Sequence, residues 1–312
     1  MTTGRASGRT PRLGLLQVCA AGVLWGTGGL VVTVLHERDG LGAMTASAWR
    51  MVLAAVALAV FAVATGRFRA ALATMRTHPG LVVMVGCCTA LYQGLYFVSV
   101  LLVGVSVATV VSLGLAPILA AILEHATART MPSWRDLGVL AAALAGLVLV
   151  VSGGAGASIP AGSSPALGLV LAIAAGGTYA ATTLLGHTLA RRVDPVALTT
   201  SATAVGAVAL TPFLVVAAVQ GQPVMTSSPS SLGLLIYLGV ATMALAYVLL
   251  YAGLRTTTGS AATVATLVEP LSAAVLAVVL FGERPTPIAV VGGLLILAAV
   301  VALRPARTAD PN

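Results

Sequence analysis

Apolar stretches of about 20 residues recur along the whole chain, and they constrain its fold more than any other feature. Only 8% of the 312 residues are charged, whereas a soluble domain carries about 25% charged residues to cover its surface. A chain with so few charges cannot face water over most of its area, so its natural solvent is lipid. We therefore predict an all-α integral membrane protein with about ten transmembrane helices, since each crossing needs about 20 apolar residues.

Ten membrane spans are predicted, most of them joined by short connections. The third and fourth are separated only by Gly104, because one continuous helix through both would be too long for about 30 Å of hydrocarbon. The ninth and tenth are separated by a turn at Glu283-Arg284-Pro285. The predicted spans are Leu13–Leu35, Gly42–Thr65, Gly80–Val103, Val105–Leu123, Trp134–Ser152, Ala166–Ala190, Pro195–Gln220, Ser231–Leu254, Gly259–Phe281 and Pro287–Leu303.

The arginines support this count and predict an orientation. If the N-terminus lies inside, thirteen of the 16 basic residues fall on one side of the membrane and only Arg38 and Arg284 on the other, while Arg50 lies within a span. Cytoplasmic loops carry an excess of positive residues, so both termini are predicted to be cytoplasmic and the loops Gly153–Pro165 and Gly221–Pro229 to lie outside the plasma (inner) membrane. The net charge of +8 then reflects topology, and no nucleic-acid partner is predicted.

The second half of the chain repeats the first. Trp25 corresponds to Tyr179 at a shift of 154 residues, and Pro117 corresponds to Pro270 at a shift of 153. Further pairs at these shifts are Thr45 with Thr199, Ser47 with Ser201, Gly86 with Gly239 and Pro132 with Pro285. Each half holds five predicted helices, an odd number, so the second half must run upside down relative to the first. Inverted repeats of this kind are typical of alternating-access transporters.

This repeat predicts the organisation of the chain. We expect a cytoplasmic N-terminal tail over residues 1–12, a first repeat over 13–152, a second repeat over 166–303, and a cytoplasmic C-terminal tail over 304–312.

The order and spacing of several motifs resemble the EamA-type permeases of the drug/metabolite transporter superfamily, over nearly the whole chain. The motifs are Trp25-Gly26, Arg50, Pro117, Leu267-Val268-Glu269-Pro270, Phe281-Gly282-Glu283-Arg284 and Gly292-Gly293. The first repeat departs from the family pattern, because Thr130 stands where Glu283 stands in the second. The resemblance implies a ten-helix transporter with a central cavity between its halves, and it implies no particular substrate.

Glu269 is the leading candidate for substrate or proton binding. It lies about 16 Å into its helix, near the membrane midplane, where a carboxylate is costly and by default suggests function. It could bind a cationic or zwitterionic substrate, carry a coupling proton, or serve as a structural partner. Arg50 lies at about the same depth and is a candidate for a structural ion pair with Glu269. The alternative is that Arg50 binds backbone carbonyls inside the protein.

Aromatic and amide side chains near the midplane are further candidates for binding a substrate or proton. Trp25 and Tyr179 occupy equivalent midplane positions in the two repeats, although aromatic residues are commonest at the membrane interfaces. Their placement suggests a cavity lining, and the alternative is hydrogen bonding between helices. The candidates are Trp25, Tyr179, Tyr92, Gln93, Tyr96 and Tyr247, with Tyr251 on the same helical face as Tyr247.

Other residues are assigned structural roles. Pro117 and Pro270 are predicted to bend their helices around the cavity. Gly22 and Gly26 form a small-xxx-small pattern that permits close helix packing. The cysteines and histidines lack metal spacing, so neither a metal site nor a cofactor is predicted.

The sequence thus predicts a secondary transporter, with export as the expected direction, of a small organic metabolite or drug-like compound. No nucleotide-binding motif is present in the sequence. The expected partners are the lipid bilayer and a small-molecule substrate, a proton is a candidate coupling ion, and no oligomer is indicated. The alternatives are a non-transporting membrane scaffold and an intramembrane lipid-modifying enzyme.

Overall fold

A computed structural model describes residues 11–152, 164–226, 228–281 and 286–303. Most of the two predicted tails, most of the loop Gly153–Pro165 and the turn at Glu283-Arg284-Pro285 lie outside the described residues.

All of the described secondary structure is helical, as predicted. One π-helical segment, Val240–Leu245, joins α8 to α9. The α-helices are α1 (Pro11–Asp39), α2 (Ala43–Ala64), α3 (Phe68–Thr77), α4 (Pro79–Ala128), α5 (Trp134–Ser152), α6 (Pro165–Ala190), α7 (Pro195–Val219), α8 (Pro229–Gly239), α9 (Ala246–Gly253), α10 (Gly259–Ala265), α11 (Val268–Phe281) and α12 (Pro287–Ala302).

Nine helical segments within the described ranges are long and apolar enough to cross a membrane. The shorter apolar helix α12 completes the set of ten that the sequence predicts. The predicted class, an all-α integral membrane protein of about ten transmembrane helices in two inverted repeats, is confirmed.

Helix α4 contains two of these spans, Pro79–Val100 and Val107–Ala128, without a break in its helical backbone. The hydroxyl of Tyr96 nevertheless lies 2.8 Å from Oγ1 of Thr109. In a straight helix these residues would be about 20 Å apart along the axis, so the axis must turn sharply between them. The predicted division at Gly104 falls inside this turn, although the backbone there stays helical.

Two features differ from the predicted spans. The amphipathic helix α3 was not predicted, because it has ten residues and three of its exposed positions, including Arg69 and Arg76, are polar. The predicted ninth span is divided into α10 and α11 by a turn at Thr266–Leu267. This turn places the start of α11 in the interior of the bundle.

Contacts between helix ends define one side of the bundle. Nη1 of Arg67 lies 3.6 Å from Oδ1 of Asp194, which joins the end of α2 to the start of α7. Nη2 of Arg135 donates a 3.1 Å hydrogen bond to the carbonyl of Ala302, which joins the start of α5 to the end of α12. We call this side, marked by Arg67 and Arg135, the arginine-rich end.

The opposite side is closed by different contacts. Nε1 of Trp49 donates a 2.6 Å hydrogen bond to the carbonyl of Val224. Oγ1 of Thr226 donates to Oδ1 of Asp39 at 3.1 Å. The helix ends therefore form two groups, one on each side of the bundle. This is the arrangement expected of a chain that crosses a membrane back and forth.

The two repeats exchange equivalent contacts. A Cβ placed at Gly22 of α1 would lie 3.3 Å from the carbonyl oxygen of Thr266, and one placed at Gly176 of α6 would lie 2.7 Å from that of Ser112. Gly22 and Gly176 are equivalent at the shift of 154, and Thr266 corresponds to Leu113, the neighbour of Ser112. The first helix of each repeat thus packs closely on the fourth span of the other, as two-fold pseudo-symmetry demands.

Candidate functional site

Aromatic side chains from both repeats meet in the middle of the bundle. They come from α1, α4, α6 and α9. Tyr247 is the second residue of α9, but the π-helical segment and α8 continue the helix before it, so the whole cluster is remote from both ends of the bundle. We call this set the central aromatic cluster: Trp25, Tyr92, Tyr96, Tyr179 and Tyr247.

The rings form a continuous chain of contacts between the repeats. Trp25 makes edge contacts with Tyr179 and Tyr247, at centroid distances of 6.5 and 5.2 Å. Tyr92 stacks on Tyr179 at 5.0 Å and lies 6.1 Å from Tyr96. These are the offset and edge-on arrangements that aromatic quadrupoles favour. Because Trp25 and Tyr179 are equivalent in the repeats, their contact lies near the pseudo-two-fold axis.

Two tyrosine hydroxyls of this cluster are already bound to threonines. The hydroxyl of Tyr179 donates a 2.9 Å hydrogen bond to Oγ1 of Thr266, at the turn between α10 and α11. The Thr266 hydroxyl in turn donates to the carbonyl of Thr263 at 2.9 Å. With the Tyr96–Thr109 bond described above, these contacts fix the orientations of two rings, so Tyr96 and Tyr179 have mainly their aromatic faces left for a solute.

Glu269 is the second residue of α11 and follows directly on the break in the ninth span. Pro270 is the next residue, and its missing N–H is tolerated in the first turn of a helix. A carboxylate in the first turn is stabilised by the helix dipole. The sequence therefore starts a helix inside the bundle and presents a negative charge there.

The carboxylate of Glu269 is partly buried, and within the described parts of the chain it makes no hydrogen bond and no ion-pair contact. Its charge acts electrostatically on Arg50 and on four tyrosines of the central aromatic cluster. The backbone carbonyl of Glu269 accepts a hydrogen bond from Ser272 at 2.9 Å. Glu269 is thus held through its backbone while its carboxylate is available.

Arg50 binds a backbone carbonyl. Its Nη2 donates a 2.7 Å hydrogen bond to the carbonyl of Thr242, in the π-helical segment. The N–H of Ala246, which would bond to Thr242 in an α-helix, bonds to the carbonyls of Ala241 and Met243 instead. The sequence left two alternatives for Arg50, an ion pair with Glu269 or a contact with a backbone carbonyl. The structure contains the carbonyl contact and does not contain the ion pair.

Several buried polar atoms around the cluster have no hydrogen-bond partner among the described residues. They are Nε1 of Trp25, Nε of Arg50 and both amide atoms of Gln93. A buried polar group without a partner is unfavourable by a few kcal/mol. They are candidate donors and acceptors for a water molecule or a solute.

The space near the cluster is small and polar on one side. A narrow gap lies beside Tyr247 and Tyr251, with Thr89 and Thr203 in its wall, and it has no room for a water molecule. A larger groove of about 280 Å³ lies between α4, α5 and α6, but it is lined only by glycine and aliphatic side chains such as Val110 and Leu147. The aromatic rings occupy the centre, where the resemblance implied a cavity.

The structure brings most of the predicted candidates to one place. The residues that sequence reasoning missed are Thr109, Thr242 and Thr266, which anchor Tyr96, Arg50 and Tyr179. Threonine is frequent in this chain, and a carbonyl acceptor leaves no trace in the sequence. Within the described ranges, no group of histidine, cysteine or acidic residues could hold a metal ion.

Ten apolar helices in inverted repeats around a central polar and aromatic cluster are the architecture typical of a membrane transporter. The model of the EamA-like transporter family matches residues 12–152 and 166–304. The chain therefore belongs to the EamA-like transporter family, which is part of the drug/metabolite transporter superfamily.

Two relatives of this chain are also named as transporters. The chain is 34% identical over 238 residues to the uncharacterized transporter YwfM of Bacillus subtilis (strain 168), covering 74% of this chain and 76% of that protein. It is 31% identical over 166 residues to an uncharacterized transporter of Archaeoglobus fulgidus, covering 53% of this chain and 56% of that protein. A protein crystal structure superposes with a TM-score of 0.77 over 93% of this chain and 95% of that chain, at 17% identity, which supports the fold.

Proposed function

We propose that this transporter is a secondary exporter of a small organic solute carrying a positive charge, alone or in a zwitterion, and that Glu269 binds that charge. The observation that carries the proposal is the carboxylate of Glu269, which has no ion-pair partner in the described residues and lies three residues after Thr266, the hydrogen-bond partner of Tyr179 in the central aromatic cluster.

The chemistry of the site suits a cation. A carboxylate and the faces of tyrosine and tryptophan rings both attract positive charge, and desolvation strengthens the attraction to the rings. Arg50 is held by the carbonyl of Thr242, so it is not in contact with Glu269. The unpaired atoms of Arg50 and Gln93 offer donors to an acceptor group on the same solute.

The coupling ion proposed is a proton. A carboxylate inside a bundle can bind either a proton or a cationic solute, and the two compete for the same oxygen atoms. Binding of one on each half of the cycle would couple their movements. The inverted repeats supply the means of exposing the site alternately to the two sides of the membrane.

Export and orientation rest on separate arguments. Export is the direction that the resemblance to drug/metabolite transporters suggests. The orientation rests on the arginines, which predict that the arginine-rich end is cytoplasmic. Cysteines introduced at Ser158 and Thr308 should then react with an impermeant maleimide from opposite sides of the membrane, and labelling from the same side would contradict the topology.

The function is tested by flux measurements in proteoliposomes. A panel of radiolabelled organic amines and amino acids is screened with and without a pH gradient, which should drive accumulation of at least one compound. Glu269→Gln should fold normally and abolish that flux. Glu37→Gln, which changes an exposed carboxylate at the end of α1, is the matched control and should transport normally.

Two results would contradict the proposal. If Glu269→Gln transports at the wild-type rate, Glu269 does not bind the charge. If anionic solutes alone are moved, the cation-binding assignment fails even though the protein transports.

A further inference from the structure

A second carboxylate, Glu124, joins the two repeats at the arginine-rich end. Its Oε1 accepts a hydrogen bond from the N–H of Gly259, and its Oε2 accepts one from the hydroxyl of Ser260. Glu124 belongs to α4 in the first repeat, whereas Gly259 and Ser260 begin α10 in the second. The contact is therefore a clamp between the repeats, placed near the end of the bundle.

The clamp completes the start of α10. The first N–H groups of a helix have no partner within the helix, and Oγ1 of Thr258 accepts only that of Ala261, at 3.2 Å. Glu124 takes the N–H of Gly259, and hydrogen bonds to a charged acceptor are about twice as strong as neutral ones. The charge also acts on His187 of α6, which lies beside Arg191.

The far end of α10 reaches the central aromatic cluster. Gly259 and Thr266 are about 10 Å apart along the helix, and Thr266 accepts the hydrogen bond from Tyr179. Turns bound α10 on both sides, at Leu254–Thr256 and at Thr266–Leu267. It is a short rod with Glu124 at one end and, at the other, Tyr179 and the start of α11 that carries Glu269.

The clamp has no counterpart in the other repeat. At the shift of 153, Glu124 corresponds to Ala277 and Ser260 to Val107. Neither of these can form a carboxylate-to-hydroxyl contact at the opposite end of the bundle. The two ends are therefore held by different chemistry.

We propose that Glu124 is a positioning residue that latches α10 over the route from the arginine-rich end to Glu269, and that this latch opens during transport. The inference rests on the proposed alternating-access function. Release of Glu124 frees the start of α10, and the movement reaches Tyr179 and Glu269 through Thr266.

Cysteine accessibility tests the latch without any solute. In a background lacking Cys19, Cys87 and Cys88, Thr263→Cys places a probe in α10, where Thr263 is 1% exposed. Labelling by an impermeant maleimide is followed in right-side-out and inside-out vesicles. Glu124→Ala should raise the labelling rate about tenfold or more from the side of the arginine-rich end only, since hydrogen bonds to a charged group are lost, and a rise from the opposite side alone would refute the latch.

Further variants keep the test decisive. Ser260→Ala removes one donor and should raise the rate less. Gly259→Ala should act like Glu124→Ala, because a Cβ there would lie 2.8 Å from Cδ2 of Leu184 and 3.0 Å from Oε1 of Glu124. Asp136→Asn is the matched control, since that carboxylate bonds only to Ser133, directly before its own helix α5.

A second probe separates a latch from a merely structural contact. Ala202→Cys lies in α7 and is 4% exposed. If Glu124→Ala raises labelling at both probes alike, Glu124 stabilises the whole fold and the latch is refuted. An unchanged rate at Thr263→Cys in well-folded Glu124→Ala also refutes it. Because no solute is present, these results stand whether or not the flux experiments on Glu269 succeed.

Discussion

The fourth and ninth spans are equivalent in the two repeats, yet they are built differently. In the fourth span, Pro117 lies within a continuous helix, whereas in the ninth its equivalent Pro270 follows a break and lies in the first turn of α11. At the shift of 153, Glu269 corresponds to Ala116, which is fully buried. The comparison shows that a proline in this position does not by itself interrupt the helix. The break at Thr266–Leu267, which precedes Pro270, is what allows a new helix to start inside the bundle.

The largest expected effect comes from placing a carboxylate in the unbroken span. Ala116→Glu would bury a charge with no helix start beside it, at a cost of about 3 kcal/mol or more. We expect poor membrane insertion and no added transport, measured by yield and by thermal unfolding in detergent. Ala73→Glu on the exposed face of α3 should be harmless. A stable Ala116→Glu protein would mean that the two spans are interchangeable.

The next effect concerns the close contact between Gly26 of α1 and the start of α11, which we call the α1–α11 seam. A Cβ at Gly26 would lie 2.5 Å from the carbonyl oxygen of Glu269, whereas the equivalent position in the second repeat, Ala180, already carries one. Gly26→Ala should lower the free energy of unfolding by about 1–3 kcal/mol through overpacking. Gly233→Ala is the control, because nothing lies within 4 Å of its Cβ. Equal melting temperatures for the two variants would show that the seam is loose.

An effect of similar size tests whether Arg50 and Glu269 are coupled. Arg50→Gln should destabilise the protein by about 1.5–3 kcal/mol, because the carbonyl of Thr242 loses a charged donor. Adding Glu269→Gln should not restore stability, since the two side chains are not in contact. A double-mutant cycle in thermal unfolding measures the coupling. Recovery in the double variant would instead indicate the direct ion pair.

The smallest effect is at the hydroxyl that links the cluster to the break. Tyr179→Phe removes the bond to Thr266, worth about 0.6 kcal/mol between membrane helices. Tyr237→Phe removes a similar 2.8 Å contact with Thr27 outside the cluster and serves as the control. Both should unfold at nearly the same temperature, but only Tyr179→Phe should slow transport. Equal flux in the two variants would show that transport does not need the Tyr179 hydroxyl and would leave only its ring as a candidate contact.

The sequence predicted the spans well because their length is set by the thickness of a bilayer, which is the same for every helix. It missed the break at Thr266–Leu267, since Gly259–Phe281 has the length of a single span and Pro270 was predicted only to bend it. It also missed α3, whose ten residues are too few and too polar to register as a span. The π-helical turn at Thr242 has no distinctive composition, so the carbonyl that binds Arg50 could not be foreseen.

The position of a residue within its predicted span gives its depth in the membrane. That depth was enough to identify Trp25, Tyr92 and Tyr179 as midplane candidates. Depth does not say which faces of the helices meet, because that depends on packing between distant segments. The contacts of Glu124 illustrate this limit. Its partners lie 135 residues away in the sequence and include a backbone N–H. The binding roles of the candidates remain predictions.

The close fit of α1 against α11 has a consequence for biosynthesis. About 240 residues separate Gly26 from Glu269, and a ribosome adds about 5–20 residues per second. The first helix must therefore remain in the membrane for tens of seconds before α11, which covers the face of α1 that carries Gly22 and Gly26, has been made. We call this the glycine face of α1. During that interval the glycine face is open to any other helix nearby. We expect that either the insertion machinery or the surrounding lipid keeps this face of α1 from packing against the wrong helix until α11 is made.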